Sequence, residues 1–242
     1  MAECLFLAGA TGAIGRRVAP LLVAAGWRVV GTTRSPEKAR MLCELGVEPV
    51  VVDVFNAAAL HEALAAARPE VVVHQLTDLP PGLDPARMAD AAQRNARIRD
   101  EGTRNLLVAA LAACARRMLA QSIGWAYADG SLPHAEGDPL DTNFDGPRGV
   151  TLRGVASLER QVLEAPLDAI VLRYGRLYGP GTGFDAATGA APVHVDAAAH
   201  ATALALARGT PGIYNIAEDD GTLACDKAKR VLGWSAAWRI GQ

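Results

Sequence analysis

Residues 4–15 (CLFLAGATGAIG) decide the fold class of this chain of 242 residues. The apolar run at 4–8 is typical of a buried strand, and it ends at Gly9, where a helical pattern follows. Glycines at such a turn indicate a pyrophosphate site: Gly9 permits the turn, Gly12 leaves room for phosphates, and Gly15 lets the helix pack closely. A glycine turn that binds no ligand is the alternative. The context favours a dinucleotide site at the amino end of the helix.

Strand and helix patterns alternate along the rest of the chain. Beyond 4–8, strands are predicted at 28–33, 49–52, 70–75, 118–122, 169–174 and 213–217. Helices are predicted at 12–25, 36–45, 57–67, 87–115, 152–164 and 196–208, with Ser35 and Asn56 as caps. Such alternation indicates right-handed crossovers and an α/β fold with a doubly wound, Rossmann-type parallel sheet.

Composition excludes several classes of partner. The net charge is -2, from 24 basic and 26 acidic residues, and 5% of residues are aromatic. This balance argues against nucleic acid or an anionic membrane surface as a partner. There is no long apolar stretch, no signal-peptide pattern, no metal-ligand spacing and no paired cysteine motif. We therefore expect a cytoplasmic protein that acts on a small molecule and binds no metal.

The end of the second predicted strand bears on the choice of cofactor. NAD-binding proteins usually place an acid there for the ribose hydroxyls, whereas this chain has Thr32, Thr33, Arg34 and Ser35. Arg34 can pair with a 2′-phosphate and Ser35 can donate to it, with Lys38 adding charge nearby. A solvated surface arginine is the alternative. We predict NADP(H), with NAD as the second candidate.

Seven motifs, in order, resemble the extended short-chain dehydrogenase/reductase superfamily and, within it, the NAD(P)-dependent epimerase/dehydratase family. They are GATGAIG (9–15), VVDVFN (51–56), VVVHQL (71–76), EGTRNLL (101–107), LRYGRLYGPG (172–181), PVHVDAAAHA (192–201) and KAKRVLGW (227–234). The resemblance implies a Rossmann domain at 1–175. It also implies a small, reduced substrate lobe at 176–242, interleaved with the last sheet elements, and a homodimer as one candidate assembly.

The cofactor site is carried over residue by residue from motif and context. It comprises Gly9, Thr11, Gly12, Ala13, Ile14, Gly15, Arg34, Ser35, Asp53, Val54, Gln75, Leu76, Tyr174 and Gly175. Asp53 matches the adenine contact of the family, with a turn aspartate as the alternative. Ser122 matches the serine after strand five that binds a substrate hydroxyl or carbonyl.

The chain departs from the family at its catalytic dyad, Tyr-x-x-x-Lys on one helix face. Counting back from Glu159 places Val155 at the lysine position and Thr151 at the tyrosine position. Arg99 falls near the position of the family's helix asparagine. We therefore predict Ser122 and Tyr127 as a substitute donor pair at the edge of strand five. Tyr127 as a packing residue is the alternative.

The chain is also short between 181 and 192 and between 220 and 227, where the family places substrate-lobe helices. Either the lobe is reduced or the sequence lacks residues of these intervals. Two functions remain open. One is an NADP(H)-dependent oxidoreductase or epimerase-like enzyme acting on a small carbonyl or hydroxyl compound, and the other is a non-catalytic NAD(P)-binding sensor or scaffold.

Overall fold

The computed structural model describes residues 2–241, apart from the side chain of Pro81. Its strands are β1 (Cys4–Ala8), β2 (Arg28–Thr33), β3 (Glu48–Val51), β4 (Val71–His74), β5 (Arg117–Ile123), β6 (Asp168–Tyr174), β7 (Arg176–Tyr178), β8 (Pro192–His194) and β9 (Gly212–Ile216). Its α-helices are α1 (Gly15–Ala24), α2 (Pro36–Glu44), α3 (Ala57–Ala67), α4 (Met88–Arg97), α5 (Thr103–Ala112), α6 (Gly146–Glu164) and α7 (Val195–Arg208).

The main sheet has seven parallel strands in the order β3-β2-β1-β4-β5-β6-β9. From β1 the chain winds outward to β3 and then returns to the other side of β1 to add β4. The predicted doubly wound α/β fold is therefore confirmed. Strands β7 and β8 form a separate two-stranded parallel ribbon. The reversal between β1 and β4 creates the crevice in which open α/β sheets bind ligands.

Both faces of the sheet are buried under helices. In β1, Leu5 and Leu7 face one hydrophobic core, whereas Phe6 and Ala8 face the other. Alternating residues of one strand thus serve two cores, which explains why the strand is apolar throughout rather than alternating. Across residues 2–241, no helix combines the length and apolar character needed to cross a bilayer.

The structure shifts several predicted boundaries. Helix α1 begins at Gly15 because residues 12–14 remain in the turn, and α6 begins at Gly146 rather than at 152. The tract predicted as one helix at 87–115 consists of α4 and α5 joined by a π-helical turn, Ile98–Gly102. Ser35 holds the N-cap position of α2 but donates its hydroxyl to Glu37 instead of accepting a backbone bond.

Each edge of the sheet ends differently. At one edge, β3 carries Pro49, which has no N–H to offer beyond the sheet. At the other edge, side chains satisfy the outer backbone groups of β9. Lys227 Nζ donates to the carbonyl of Ile213 at 2.7 Å, and the amide of Asn215 donates to a carboxylate oxygen of Glu136 at 3.2 Å.

Candidate active site

A cleft of about 1200 Å³ follows the carboxyl ends of the strands from β3 across to β6. It is lined by the segments that leave β1, β2, β3 and β4, and by the last residues of β5 and β6. All of the predicted cofactor residues line it except Gly15. Among the two predicted donors, Ser122 lines the cleft and Tyr127 does not. The strand ends therefore bring the predicted cofactor residues together at the switch point of the sheet.

The three glycines of the first turn have different roles. A Cβ on Gly9 would lie 2.5 Å from the carbonyl oxygen of Gln75, and one on Gly15 would lie 2.3 Å from the carbonyl oxygen of Gly9. Both positions therefore require glycine for backbone packing. A Cβ on Gly12 would meet only the Gly9 oxygen, at 3.3 Å, and otherwise points to open space. Gly12 thus leaves a vacant approach to the amino end of α1, which fits a pyrophosphate.

Arg16 is a site residue that the sequence analysis missed. Its side chain lines the cleft, and its Nε is buried without a partner among residues 2–241. Its guanidinium lies close to Gly181, where an added Cβ would sit 2.7 Å from an Arg16 nitrogen. An arginine directly after the third glycine was the available signal. The position supplies a cation beside the glycine turn, where phosphate charge would need one.

Arg34 reaches across the mouth of the cleft. Its guanidinium pairs with Asp78 at 3.2 Å, and Asp78 also pairs with Arg94 of α4 at 3.1 Å. The Arg34 side chain is 52% exposed, so the pair is weak and a competing anion can replace the Asp78 carboxylate. Lys38 lines the same part of the cleft. The surroundings of Arg34 therefore fit a residue that can bind a phosphate.

Asp53 occupies the turn after β3. One of its carboxylate oxygens accepts the amide of Phe55 at 3.0 Å, which is the geometry of a turn aspartate. Asp53 and Val54 both line the cleft. The adenine contact therefore stays a prediction, beside a structural role that the geometry already assigns to the same side chain.

Ser122 belongs to a buried network at the end of β5. Its hydroxyl donates to Oε1 of Glu159 at 2.6 Å, and Arg173 pairs with both oxygens of that carboxylate at 2.9 and 2.6 Å. The paired side chains are 4% and 5% exposed. The Ser122 proton is thereby held by a carboxylate, which leaves only the hydroxyl lone pairs for a ligand. Arg173 and Glu159 thus form a buried salt bridge beneath the Ser122 hydroxyl.

The structure places Tyr127 outside the cleft. Its side chain is 6% exposed, and its hydroxyl donates to Oδ1 of Asn215 at 2.6 Å. The ring stacks on His134, and the guanidinium of Arg173 lies above it. Burial raises the pKa of the Tyr127 hydroxyl above its usual value, despite the nearby charge of Arg173. These contacts correct the prediction that Tyr127 faces the nicotinamide end of the cleft, and they favour the packing alternative.

The face of α6 on which the sequence analysis predicts the dyad positions carries no charged side chain at residues 151 and 155. Thr151 lines the cleft, whereas Val155 is buried against Ile123, Ala126 and Leu152. A β-branched apolar side chain therefore fills the position where a lysine would otherwise project. Neither residue can act as an acid or a base at neutral pH.

His74, the last residue of β4, lies under the influence of Arg99, which lines the cleft. His74 is buried, with Nε2 3.0 Å from the Thr103 hydroxyl and Nδ1 accepting the amide of Leu76 at 3.3 Å. Burial, followed by the charge of Arg99, lowers the pKa of His74 to about 4. The imidazole is therefore neutral at physiological pH and offers Arg99 no counter-charge. Among residues 2–241, no three His, Cys, Asp or Glu side chains are grouped to hold a metal.

Comparison with known proteins agrees with this geometry. Residues 5–192 match the model of the NAD dependent epimerase/dehydratase family. This chain belongs to that family. The match covers the glycine turn, the sheet through β6, and β7, and it ends at Pro192, the first residue of β8. The resemblance predicted from the motifs is thus confirmed, and the family is NAD(P)-dependent.

Individual epimerase-family proteins and structures resemble the chain to different degrees. A Streptomyces 3-diazoavenalumate denitrifying reductase is 43% identical over 192 residues, which are 74% of this chain and 58% of that protein. A UDP-glucose 4-epimerase from Thermotoga maritima, solved with UDP-glucose, has a TM-score of 0.78 at 19% identity, covering 98% of this chain and 95% of that one. The Bordetella bronchiseptica enzyme WbmG, solved with NAD, has a TM-score of 0.72 at 17% identity, covering 99% and 91%. These two structures share the fold of this chain. The chain spans little more than half the length of the reductase.

Proposed function

We propose that this chain is an NADP(H)-dependent reductase whose substrate accepts a hydride without needing a proton from the protein. The observation that carries the proposal is that, among residues 2–241, no side chain at the end of β5 or at the two dyad positions is free to act as a general acid. Ser122 donates to Glu159, Tyr127 donates to Asn215, and the dyad positions hold Thr151 and Val155. A carbonyl that receives hydride becomes an alkoxide, which needs a nearby donor.

The substrate class that fits is a diazo compound that reacts in its cationic diazonium form. The 43% identical relative is named as a reductase that removes nitrogen from 3-diazoavenalumate. When bound, NADPH supplies a hydride, and a hydride that forms a C–H bond at a diazonium-bearing carbon lets the C–N bond break and N₂ leave with its electron pair. No oxyanion forms and no proton is consumed. An active site without a proton donor is therefore sufficient for this reaction, whereas it is deficient for carbonyl reduction.

The protein's own contribution would be binding and orientation. The glycine turn, Arg16 and Arg34 would hold the phosphates, while Gln75 and the end of β6 would flank the nicotinamide half. Since Ser122 offers only lone pairs, it can orient a donor on the substrate but cannot stabilise negative charge. The four cysteines Cys4, Cys43, Cys114 and Cys225 are free thiols, which fits a reducing compartment, and we place the reaction in the cytoplasm.

The test compares two substrates of one shape. Diazotised 4-aminobenzoate and 4-formylbenzoate are each incubated with the protein and NADPH deuterated at C4, and N₂ release, NADPH oxidation and deuterium in the product are measured. We expect turnover of the diazonium compound to exceed that of the aldehyde by at least about 100-fold, the usual contribution of a general acid. Ser122→Ala and Tyr127→Phe should change diazonium turnover by only a few-fold.

The controls separate this function from its alternatives. The Gly12→Val variant measures the background reaction of NADPH with the diazonium compound in solution. Preferred turnover of the aldehyde, or loss of diazonium turnover in Tyr127→Phe, would contradict the proposal. Tight NADPH binding without turnover of either compound would favour the non-catalytic sensor.

The cofactor preference has its own test, based on Arg34. Arg34→Ala should raise the Kd of NADPH by about 10- to 100-fold, the range of a charged hydrogen bond, and leave the Kd of NADH unchanged. The matched variant Asp78→Asn removes the acid that competes for Arg34. It should therefore lower the Kd of NADPH and leave the Kd of NADH unchanged. Calorimetric titration at fixed salt measures the affinity of wild type and of both variants for each cofactor. Equal losses for both cofactors in Arg34→Ala would refute the NADP(H) assignment.

A further inference from the structure

Arg99 is a partly buried cation in the wall of the cleft that the proposed chemistry leaves unexplained. It lies in the π-helical turn between α4 and α5 and lines the cleft. Its Nη1 is buried and has no hydrogen-bond partner within residues 2–241. A π-helical turn adds a residue to one turn of a helix and is frequent at functional sites. Here it turns a long side chain into the cleft in the middle of an otherwise regular helical tract.

The acids around Arg99 are all turned away from it. Asp100 pairs with Arg104 at 2.8 Å and accepts the Ser157 hydroxyl at 2.7 Å. Glu101 pairs with Arg97 at 2.6 Å. Asp78, which follows β4, pairs with Arg34 and Arg94. Each of these three acids thus has another cation as its partner.

The charge state of Arg99 reflects the same isolation. Burial lowers its pKa to about 10, and no carboxylate raises it again. The guanidinium is therefore still charged at neutral pH. An uncompensated charge in a protein interior is costly, so such groups are normally paired or bound to a ligand. Residues 2–241 offer no hydrogen-bond partner to its buried Nη1, so an anionic ligand in the cleft would supply the missing counter-charge.

We propose that Arg99 binds a carboxylate of the substrate. This inference rests on the proposed function, because the carboxylate belongs to the molecule that is reduced. The cofactor phosphates have other cations, Arg16 at the glycine turn and Arg34 at the end of β2. The same cleft is also lined by the apolar side chains of Met88, Ile98 and Trp125. A guanidinium that pairs bidentately with a carboxylate, beside apolar and aromatic walls, selects an aryl or alkenyl carboxylate.

The test uses simple ligands and a binding readout rather than turnover. Cinnamate and its neutral amide, cinnamamide, are titrated calorimetrically into wild type, Arg99→Gln and the control Arg104→Gln, an exposed arginine one element further on. Wild type and Arg104→Gln should bind cinnamate at least about 10-fold more tightly than cinnamamide. Arg99→Gln should bind cinnamate about 10- to 100-fold more weakly than wild type does. Its affinity for cinnamamide should change little, and its affinity for NADPH should not change.

Thermal unfolding provides a second readout. Because Arg99 Nη1 has no hydrogen-bond partner among residues 2–241, Arg99→Gln should melt no lower than wild type. Cinnamate should raise the Tm of wild type and of Arg104→Gln, but not that of Arg99→Gln. If Arg99→Gln does not fold, Arg99→Lys replaces it, because lysine keeps the charge without the planar guanidinium. Arg99→Lys should bind cinnamate about 10-fold more weakly than wild type does.

Several results would overturn the assignment. They are equal affinity of wild type for cinnamate and cinnamamide, unchanged cinnamate binding in Arg99→Gln or Arg99→Lys, and loss of NADPH binding in Arg99→Gln, which would assign Arg99 to the cofactor. Failure of the diazonium reaction alone, with cinnamate binding intact and dependent on Arg99, would instead contradict only the proposed function.

Discussion

Gly12→Val is expected to raise the Kd of both NADPH and NADH by at least about 100-fold while the protein keeps its fold. The space in front of Gly12 is open apart from the Gly9 oxygen at 3.3 Å. A branched side chain can therefore be accommodated by the protein itself, but it occupies the approach that phosphates need. Calorimetry measures the loss of binding, and thermal unfolding without cofactor measures the fold.

Gly15→Ala is the matched control, since it adds a smaller group three residues away. Its Cβ would lie 2.3 Å from the Gly9 oxygen and 2.8 Å from Ala10, both backbone contacts that cannot give way cheaply. This variant should lower the Tm, unlike Gly12→Val. Normal cofactor binding by Gly12→Val would mean that the cofactor does not use this turn.

Arg173→Met is expected to lower the free energy of unfolding by about 3–5 kcal/mol, the usual cost of breaking a buried ion pair. The variant leaves the Glu159 carboxylate buried with the Ser122 hydroxyl as its remaining side-chain partner. It also removes a donor from the Glu136 carbonyl, 3.1 Å from Arg173. Urea unfolding of wild type and variant measures the difference.

The double variant Arg173→Met, Glu159→Leu removes both charges at once. A buried pair replaced by apolar groups of similar size is often nearly neutral, so the double variant should recover much of the loss. A double variant less stable than Arg173→Met would show that the pair contributes through its hydrogen bonds rather than through the isolated charge.

Much of the fold was predictable because its signals are local. The run at 4–8 and the glycines after it define β1 and the start of α1, and Asn56 accepts the Ala59 amide as its cap position predicts. The strand ends that carry cofactor residues meet at one edge of a parallel sheet by topology alone. For this reason nearly all of the predicted cofactor residues line one cleft.

The chemistry of the site was less predictable because it depends on distant partners. Ser122 stands where the family resemblance places it, but its proton goes to Glu159, 37 residues away, and that of Tyr127 goes to Asn215, 88 residues away. The position of a residue on its strand does not reveal to which partner its hydroxyl donates. The π-helical turn that presents Arg99 is equally hidden, because one added residue in a turn barely alters apolar periodicity.

The two edges of the main sheet, β3 and β9, affect how copies of this chain can associate in solution. An unprotected edge strand is a template on which another chain can add a strand, and it leads to aggregation. Pro49 interrupts that template at β3, while Lys227 and Glu136 occupy backbone groups of β9 that an incoming strand would need. Self-association by continuation of the sheet is therefore disfavoured at both ends. Contacts between copies of this chain are therefore expected to rely on side chains rather than on backbone pairing at the edges of the main sheet.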